Sequence, residues 1–393
     1  MDNKIYLDYN ATTPCDPIVV DHMLPFFSEK FGNPSSSHHA FGWIARDVVR
    51  ESTQLIAETL GVSPGTLTYT SGATESANMI LKSFAGTNDQ GRNHIITCKT
   101  EHKAVLDTCD WLQRNELADV SYMDVDAHGL VDLEQLKRAI RPETVLITIM
   151  HSNNETGAIQ PLEKIGKIIE GRNIRLFTDA TQSLGKVPLD TLIEVADYAC
   201  FSAHKLYGPK GIGLVYARKG RTDEFLESLI QGGGQQKRMR GGTLNTPSIA
   251  GFAKAIELAY ANLDQEQARL SELRNRLESG LMHIELSNSN SRAEHRLPNT
   301  TNVSFSYVDG FKLLSALSRN IAVSNGSACN SSNEDPSLVL RAMGVHPDLA
   351  FSSMRISLGR YTTESEVDRA IEIISEEVSN QRADNILWER RVI

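Results

Sequence analysis

Short β-rich runs alternate with helix-period runs between about residues 66 and 217. Helical patterns at 104–112, 133–140 and 162–169 lie between the β-rich runs. Alternation of this kind predicts right-handed βαβ crossovers and a mostly parallel sheet covered on both faces. The predicted strands are 67–70, 94–97, 120–124, 145–150, 174–178, 198–201 and 213–217.

The chain downstream of Pro247 has a different pattern. A long helical stretch comes first, and its apolar stripe is formed by Leu263, Leu270, Leu273, Leu277 and Leu281. A smaller α/β unit follows, with strands near 302–306, 321–324 and 355–357 and helices near 311–317, 338–343 and 367–378. A length of 393 residues suits one large domain with a smaller one. We expect residues 16–262 to form the large domain, and 1–15 with 263–393 the small one.

Polar segments stand directly after five of the predicted strands. Ligands of open α/β sheets bind beyond the carboxyl ends of the strands, so these segments should converge on one crevice. They are Ser71–Thr74, Glu101-His102, Asn153-Asn154, Asp179 and Ser202–Lys205.

An acid and an amine, Asp179 and Lys205, end neighbouring strands of this pattern. Pyridoxal phosphate chemistry needs such a pair, because a lysine binds the aldehyde and a carboxylate keeps the ring nitrogen protonated. Taken alone, such an aspartate is more often a helix cap and such a lysine a solvated turn residue, and the neighbouring segments favour the functional interpretation. Gly72-Ala73-Thr74 opens a helical run and can bind a phosphate or simply cap the helix. The P-loop pattern for nucleotide binding is missing. The glycine-rich run 208–213 leads into a strand, whereas the dinucleotide-binding motif opens a helix, so that motif is excluded as well.

Three further residues have a functional and a structural interpretation. His102 can stack on a planar ring and move protons, although a single histidine is more often structural. Arg355 can bind a substrate carboxylate through two donors, or form a surface ion pair. Cys329 stands among small polar residues in Ser324–Ser332, whereas buried structural cysteines have large apolar neighbours. This composition predicts an accessible, catalytic thiol.

Composition narrows the class of protein. A net charge of −9 argues against direct binding of bare DNA or RNA, and the basic run 237–240 can be either a solvated loop or a functional patch. No apolar run is long enough for a membrane helix, and no signal peptide is apparent. The five cysteines are widely spaced and form neither a disulfide framework nor a zinc site, so we expect no metal and a cytoplasmic location.

Matched motifs occur in order along essentially the whole chain, and together they resemble the group I cysteine desulfurases. This family belongs to the class V branch of the fold-type I pyridoxal phosphate enzymes. The resemblance implies a large domain with a mostly parallel seven-stranded sheet and a smaller C-terminal α/β domain. The motifs are Tyr6–Pro14, Phe31–Ser36, Thr70–Ser76, Thr100–His102, Asn153–Gly157, Thr178–Ser183, Ser202–Gly211, Gly241–Thr243 and Gly326–Cys329.

The resemblance implies a role for each matching residue. Lys205 binds the cofactor covalently, and Cys329 is the nucleophile that receives sulfur from L-cysteine as a persulfide, with L-alanine as the product. His102 stacks on the cofactor ring and belongs to the catalytic group. Asn154 and Arg355 orient the substrate carboxylate. Gln182 hydrogen-bonds the ring hydroxyl of the cofactor. The other implied cofactor contacts are Ala73, Thr74, Asn154, Asp179, Ser202, His204 and, from the second subunit of a homodimer, Thr243.

The sulfur acceptor is less defined. The run after Cys329 departs from the usual family pattern, and the chain stops at Ile393 without the longer tail of housekeeping relatives. We therefore expect a protein acceptor that serves either iron–sulfur cluster assembly or thiolation of tRNA or DNA. The alternatives are another class V enzyme, such as an aminotransferase or selenocysteine lyase, and a non-catalytic partner protein of a sulfur pathway.

Overall fold

The computed structural model of the protein describes residues 4–86, 93–220, 226–325 and 336–389. The strands found there are β1 (Ile5–Tyr6), β2 (Leu67–Thr70), β3 (His94–Cys98), β4 (Asp119–Met123), β5 (Thr144–Thr148), β6 (Arg175–Asp179), β7 (Tyr198–Ser202), β8 (Gly213–Ala217), β9 (Ser287–Ser289), β10 (Thr300–Phe305), β11 (Ile321–Ala322) and β12 (Ser353–Ser357).

The α-helices of the same residues are α1 (Pro17–Met23), α2 (Pro25–Ser28), α3 (Ala40–Leu60), α4 (Ala73–Lys82), α5 (Lys103–Arg114), α6 (Leu133–Ala139), α7 (Leu162–Ile169), α8 (Asp190–Val195), α9 (Thr246–Tyr260), α10 (Leu263–Met282), α11 (Gly310–Leu317), α12 (Leu338–Ala342), α13 (Pro347–Phe351), α14 (Glu364–Ala383) and α15 (Ile386–Glu389). Short 3₁₀ helices cover Pro64–Thr66, Ala203–Lys205 and Gln235–Arg238.

The largest sheet has seven strands in the order β2-β8-β7-β6-β5-β3-β4. Neighbours from β7 to β4 pair in parallel, whereas β8 is antiparallel to both β2 and β7. All the strands of this sheet except β8 therefore run in one direction. β8 reverses because a short connection without an α-helix joins it to β7, and only an antiparallel strand can follow such a connection. The predicted mostly parallel seven-stranded α/β fold is confirmed.

Apolar side chains of this sheet alternate between its two faces, as the period of a strand requires. On β6 and β7, Leu176 and Ala199 belong to one apolar cluster, whereas Phe177 and Tyr198 belong to another. The first cluster includes side chains of α3, α7 and α9, and the second includes side chains of α4 and α5. Helices thus cover both faces and leave the strand ends for polar chemistry.

A separate apolar cluster packs around the antiparallel sheet β12-β10-β9 and the helices α10, α11 and α14. Ile5 and Leu7 join it, because β1 pairs in parallel with β11. Leu270, Leu273, Leu277 and Leu281 form the predicted stripe in this cluster, while Leu263 lines a cavity instead. The domain division at 16–262 stays a prediction, and the separate clusters support it.

Within residues 4–86, 93–220, 226–325 and 336–389, no helix is both long enough and apolar enough to cross a bilayer.

Candidate active site

A cavity of about 840 Å³ lies at the carboxyl ends of the parallel strands. Each of the five polar segments predicted to converge there contributes at least one residue to its wall. The predicted site residues that line it are Ala73, Thr74, His102, Asn154, Asp179, Gln182, Ser202, His204, Lys205 and Arg355. The sheet topology therefore brings together side chains that are far apart in sequence.

Lys205 ends the 3₁₀ helix that directly follows β7, and its side chain is half-buried in the cavity wall. Its Nζ donates to the carbonyl oxygens of Asn10 and Ala11, at 2.6 Å each. Asn10 Nδ2 donates to the carbonyl oxygen of Asn154, which follows β5, and to Thr300 Oγ1 on β10, and Asn10 Oδ1 accepts from Asn299 Nδ2. Asn10 thus connects the large sheet to the apolar cluster around β10 and β12, which we call the second apolar unit. The N-terminal segment thus fixes the amine in the cavity.

Asp179 is the last residue of β6 and is buried. Its Oδ1 accepts a hydrogen bond from the main-chain N–H of Thr181 at 2.9 Å, which orients the carboxylate. Burial, followed by the charge of Asp179, raises the pKa of the neighbouring Cys200 thiol well above its usual range. The neutral Cys200 thiol that results adds no second negative charge beside the Asp179 carboxylate.

The N-terminus of α4 forms a corner of the cavity whose main-chain amides can bind an anion. Gly72 is the N-cap and supplies no capping side chain, so the first amides of α4 keep their hydrogen-bonding capacity. Ser202 and His204 line the cavity with them. Burial, and then the Lys205 charge, lower the pKa of His204 to about 4, which makes its imidazole neutral at pH 7.

His102 is the N-cap of α5, and its Nδ1 accepts from the main-chain N–H of Ala104 at 3.1 Å. This bond fixes the plane of the ring at the cavity wall, as stacking on a planar ligand requires. Behind His102, the side chain of Glu101 is buried and accepts from the N–H of Met150. Burial raises the pKa of Glu101 well above its usual range, so a neutral acid is favoured there.

Arg355 on β12 reaches the cavity from the second apolar unit. Its Nη2 donates to Asp8 Oδ1 at 2.7 Å, and its Nη1 is 3.4 Å from the Asn154 carbonyl oxygen. Asp8 also accepts from Ser324 Oγ at 2.9 Å, so the carboxylate is fixed in turn. Arg355 is therefore a buried cation held in place at the mouth of the site, and it is no surface ion pair.

Two predicted site residues are not seen in this cavity. Thr243 is exposed and does not line it, and a single chain does not test the prediction that it reaches a second subunit. Cys329 lies outside the described residues. Asn153, which belongs to a predicted segment, is buried beneath the cavity, where its Nδ2 donates to the Thr100 carbonyl at 3.1 Å.

The sequence interpretation missed several polar residues that shape the site. Asn10 and Asp8 stand in a quoted motif without an assigned role, and only the structure shows their contacts with Lys205 and Arg355. Glu155 lines the cavity and accepts from Ser337 Oγ at 2.5 Å. Lys186 Nζ donates to Gln182 Oε1, four residues earlier in the chain. The position of this pair soon after β6 was the signal in the sequence that could have pointed to Lys186.

The chemistry of the donor set fits pyridoxal phosphate. An uncapped helix start provides amides for the phosphate, Lys205 provides an amine for the aldehyde, and Asp179 provides a buried acid for the ring nitrogen. Gly213 strengthens the fit, because a Cβ there would lie 2.6 Å from Gly72 Cα and would displace the start of α4.

Comparison with known proteins agrees with this geometry. A family model described as aminotransferase class-V matches residues 5–370. Cysteine desulfurase IscS of Anaeromyxobacter dehalogenans (strain 2CP-C) is 45% identical over 386 residues, covering 98% of this chain and 95% of the relative. A solved structure titled "NIFS-LIKE PROTEIN" has a TM-score of 0.88 and 41% identity, covering 96% of this chain and 99% of that one. Another, "SspA in complex with cysteine", has a TM-score of 0.78 and 37% identity, covering 91% and 100%.

Fold and site together define a fold-type I enzyme whose cofactor is pyridoxal phosphate. The chain belongs to the class-V aminotransferase family, in the branch that contains the cysteine desulfurases.

Proposed function

We propose that this enzyme is a cysteine desulfurase that converts L-cysteine to L-alanine and holds the sulfur as a persulfide on Cys329. The observation that carries the proposal is the single cavity in which Lys205 and Asp179 stand together with the carboxylate-binding Arg355. The similarity to a protein solved with cysteine supports the choice of substrate.

Each described side chain then has a defined task. Pyridoxal phosphate, when bound, supplies an aldehyde for the substrate amine and a ring that accepts electrons. Arg355 and Asn154 bind the substrate carboxylate. Lys205 Nζ accepts the proton from the substrate Cα, and Asp179 holds a proton at the ring nitrogen.

The sulfur step balances without an external oxidant. The Cys329 sulfur attacks the substrate sulfur, so an S–S bond forms while the substrate Cβ–Sγ bond breaks. The electron pair of the broken bond remains on Cβ, which takes a proton and becomes the methyl group of L-alanine. The products are L-alanine and the Cys329 persulfide.

Replacing Cys329 by Ser tests this assignment. With L-cysteine and a thiol reductant, the holoenzyme should release alanine and sulfide in equal amounts, and Cys329→Ser should lose nearly all of both. Cys15→Ser is the matched control, because Cys15 is the half-exposed cysteine among the described residues. Mass spectrometry should find the added sulfur at Cys329. Undiminished turnover in Cys329→Ser would point to another class V activity. A holoprotein whose absorption spectrum does not respond to L-cysteine would point to a non-catalytic protein.

A protein acceptor then removes the sulfur, in iron–sulfur cluster assembly or in thiolation of tRNA or DNA. The net charge of −9 disfavours direct contact with a nucleic acid and favours a protein relay. Enzyme loaded with ³⁵S-cysteine should pass label to a purified cluster scaffold or to a thiolation enzyme, and not to RNA or DNA alone. Direct labelling of nucleic acid would contradict the relay.

The enzyme acts as a homodimer in which Thr243 completes the partner's cofactor site. Exposed aromatic side chains support this, since Phe31 and Phe41 are 62% and 54% exposed with ring centroids 5.6 Å apart. Light scattering should give twice the chain mass, and Phe41→Glu should give a monomer with weakened cofactor binding. Ile386→Glu, at an equally exposed site on α15, should remain dimeric. A monomeric wild-type protein would refute the proposal.

The cytoplasm is the proposed location. The described cysteines are all unpaired, which suits a reducing compartment. Fractionation of cells that express the protein tests this location. Recovery of the protein in the fraction of an oxidising compartment would contradict it.

A further inference from the structure

Lys186 is a half-buried polar contact of the site that the proposed reaction does not use. It follows Gly185, whose φ of +71° turns the chain. Its Nζ donates to Gln182 Oε1 at 2.7 Å and to Asn10 Oδ1 at 3.3 Å. The carbonyl oxygen of Lys186 accepts from Gln267 Nε2 at 2.7 Å, so its backbone is also fixed.

The contact with Gln182 has a consequence for the direction of that amide. A side-chain amide offers an acceptor at one end and a donor at the other, and a rotation of half a turn exchanges them. With Oε1 occupied by Lys186, Gln182 Nε2 donates one hydrogen to the Asn10 carbonyl at 2.9 Å. Its second N–H remains for the cavity that Gln182 lines.

We propose that Lys186 is a positioning residue, which holds the Gln182 amide so that it presents an N–H donor, and not a carbonyl oxygen, to the ring oxygen of the bound cofactor. Asn10 is the second half of this arrangement, because it contacts Lys186, Gln182 and Lys205 at once. Lys186 therefore acts on the cofactor through Gln182, whose amide it orients, and does not touch the reacting atoms.

The electrostatics of the site are compatible with this role. Burial, followed by the positive charges of Lys205 and Arg355, lowers the pKa of Lys186 to about 7. Both the ammonium and the neutral amine can donate hydrogen bonds, so the direction of the Gln182 amide is kept on either side of this value. A reduced charge on Lys186 also limits repulsion of Lys205.

A double-mutant cycle on cofactor binding tests the inference. The dissociation constant of pyridoxal phosphate is measured on the apo-protein for wild type, Lys186→Met, Gln182→Leu and the double variant. Each single variant should bind on the order of tenfold more weakly, the value of one hydrogen bond. The double variant should bind no more weakly than Gln182→Leu, because Lys186 acts through Gln182. Lys167→Met, an exposed lysine on α7, is the control and should bind as wild type.

A spectroscopic readout separates positioning from a general structural role. The visible absorption of the bound cofactor depends on pH, and its midpoint should shift in the same direction in Lys186→Met and in Gln182→Leu. Additive losses in the double variant, or an unchanged affinity and midpoint in Lys186→Met, would overturn the inference. Circular dichroism verifies folding, and if Lys186→Met does not fold, Lys186→Gln, whose side chain is too short for both contacts, takes its place in the cycle.

The inference rests on the cofactor site and not on the substrate. None of these measurements uses L-cysteine, so a failure of the proposed desulfurase activity would leave them interpretable. Conversely, additive losses of cofactor affinity in the Lys186 and Gln182 variants would leave the assignment of Cys329 unaffected.

Discussion

Arg355 shows how one buried side chain can be held by a fixed partner and still keep donors for another group. Its guanidinium is buried, and Asp8 Oδ1 accepts one of its donors at 2.7 Å, which leaves other donors for a carboxylate. The planar, multi-donor group can serve both partners at once, whereas a lysine ammonium is a single compact charge. The arrangement thus depends on arginine and not merely on a positive charge.

Arg355→Lys should therefore weaken cysteine binding while the chemistry persists. We expect KM for L-cysteine to rise by on the order of tenfold or more, with a smaller change in kcat, as for the loss of a bidentate contact. Steady-state kinetics of alanine release measure the two parameters. A variant with unchanged KM would show that Arg355 only pairs with Asp8.

At the scale of elements, the strand ends of the large sheet were predictable from the sequence. Apolar runs followed by polar residues located Asp179 and Lys205 correctly, because a buried parallel strand needs apolar residues and its end is where polar chemistry can begin. The antiparallel β8 was not predictable from its composition, since a buried strand has the same residues in either direction.

The contacts that link distant parts of the chain were also beyond the sequence pattern. Asn10 meets Lys205 and Thr300 only because β1 joins the second apolar unit. Asp8 and Arg355 are likewise brought together by tertiary structure. Local periodicity carries no information on such pairs, so the roles of these polar residues appear only in the folded chain.

Gly213 lies where β8 passes the N-cap of α4 in the cavity wall. It opens β8, and a Cβ at this position would lie 2.6 Å from Gly72 Cα and 2.7 Å from the Phe201 carbonyl oxygen. The sheet therefore tolerates only glycine where β8 passes the N-cap of α4. Close packing of backbone on backbone thus fixes the position of the first amides of α4.

Gly213→Ala should consequently lower both stability and cofactor affinity. We expect a loss of about 1–3 kcal/mol in the free energy of unfolding, typical of overpacking. Urea titration of the apo-protein and cofactor titration measure the two effects. In Gly65→Ala the nearest atom to the new Cβ is the flexible Lys237 Nζ at 3.3 Å, so both quantities should change little. Equal losses in both variants would refute the packing argument.

Across the whole molecule, buried polar contacts connect the large-sheet side of the cavity to the small apolar cluster of α12 and α13. Glu155, beside the large sheet, accepts from Ser337 Oγ, and Ser337 caps α12 by accepting from the Leu340 N–H at 3.1 Å. Burial raises the pKa of Glu155 from 4.5 to about 7, against the smaller lowering effects of Ser337, Arg355 and His102. Ionisation of this carboxyl therefore opposes folding at neutral pH.

The pH dependence of unfolding should reveal this group. Because the pKa is higher in the folded state, the folded protein binds more protons between pH 4.5 and about 7, and the stabilising contribution of Glu155 falls as pH rises through this window. Glu155→Gln keeps the shape and cannot ionise, so it should lack this fall. The free energy of unfolding of the wild type minus that of Glu155→Gln, measured by urea titration of the apo-protein, should decrease from pH 5 to pH 7.5. A difference that stays constant over this range would show that Glu155 does not titrate there, and that its contact with Ser337 carries no cost in charge.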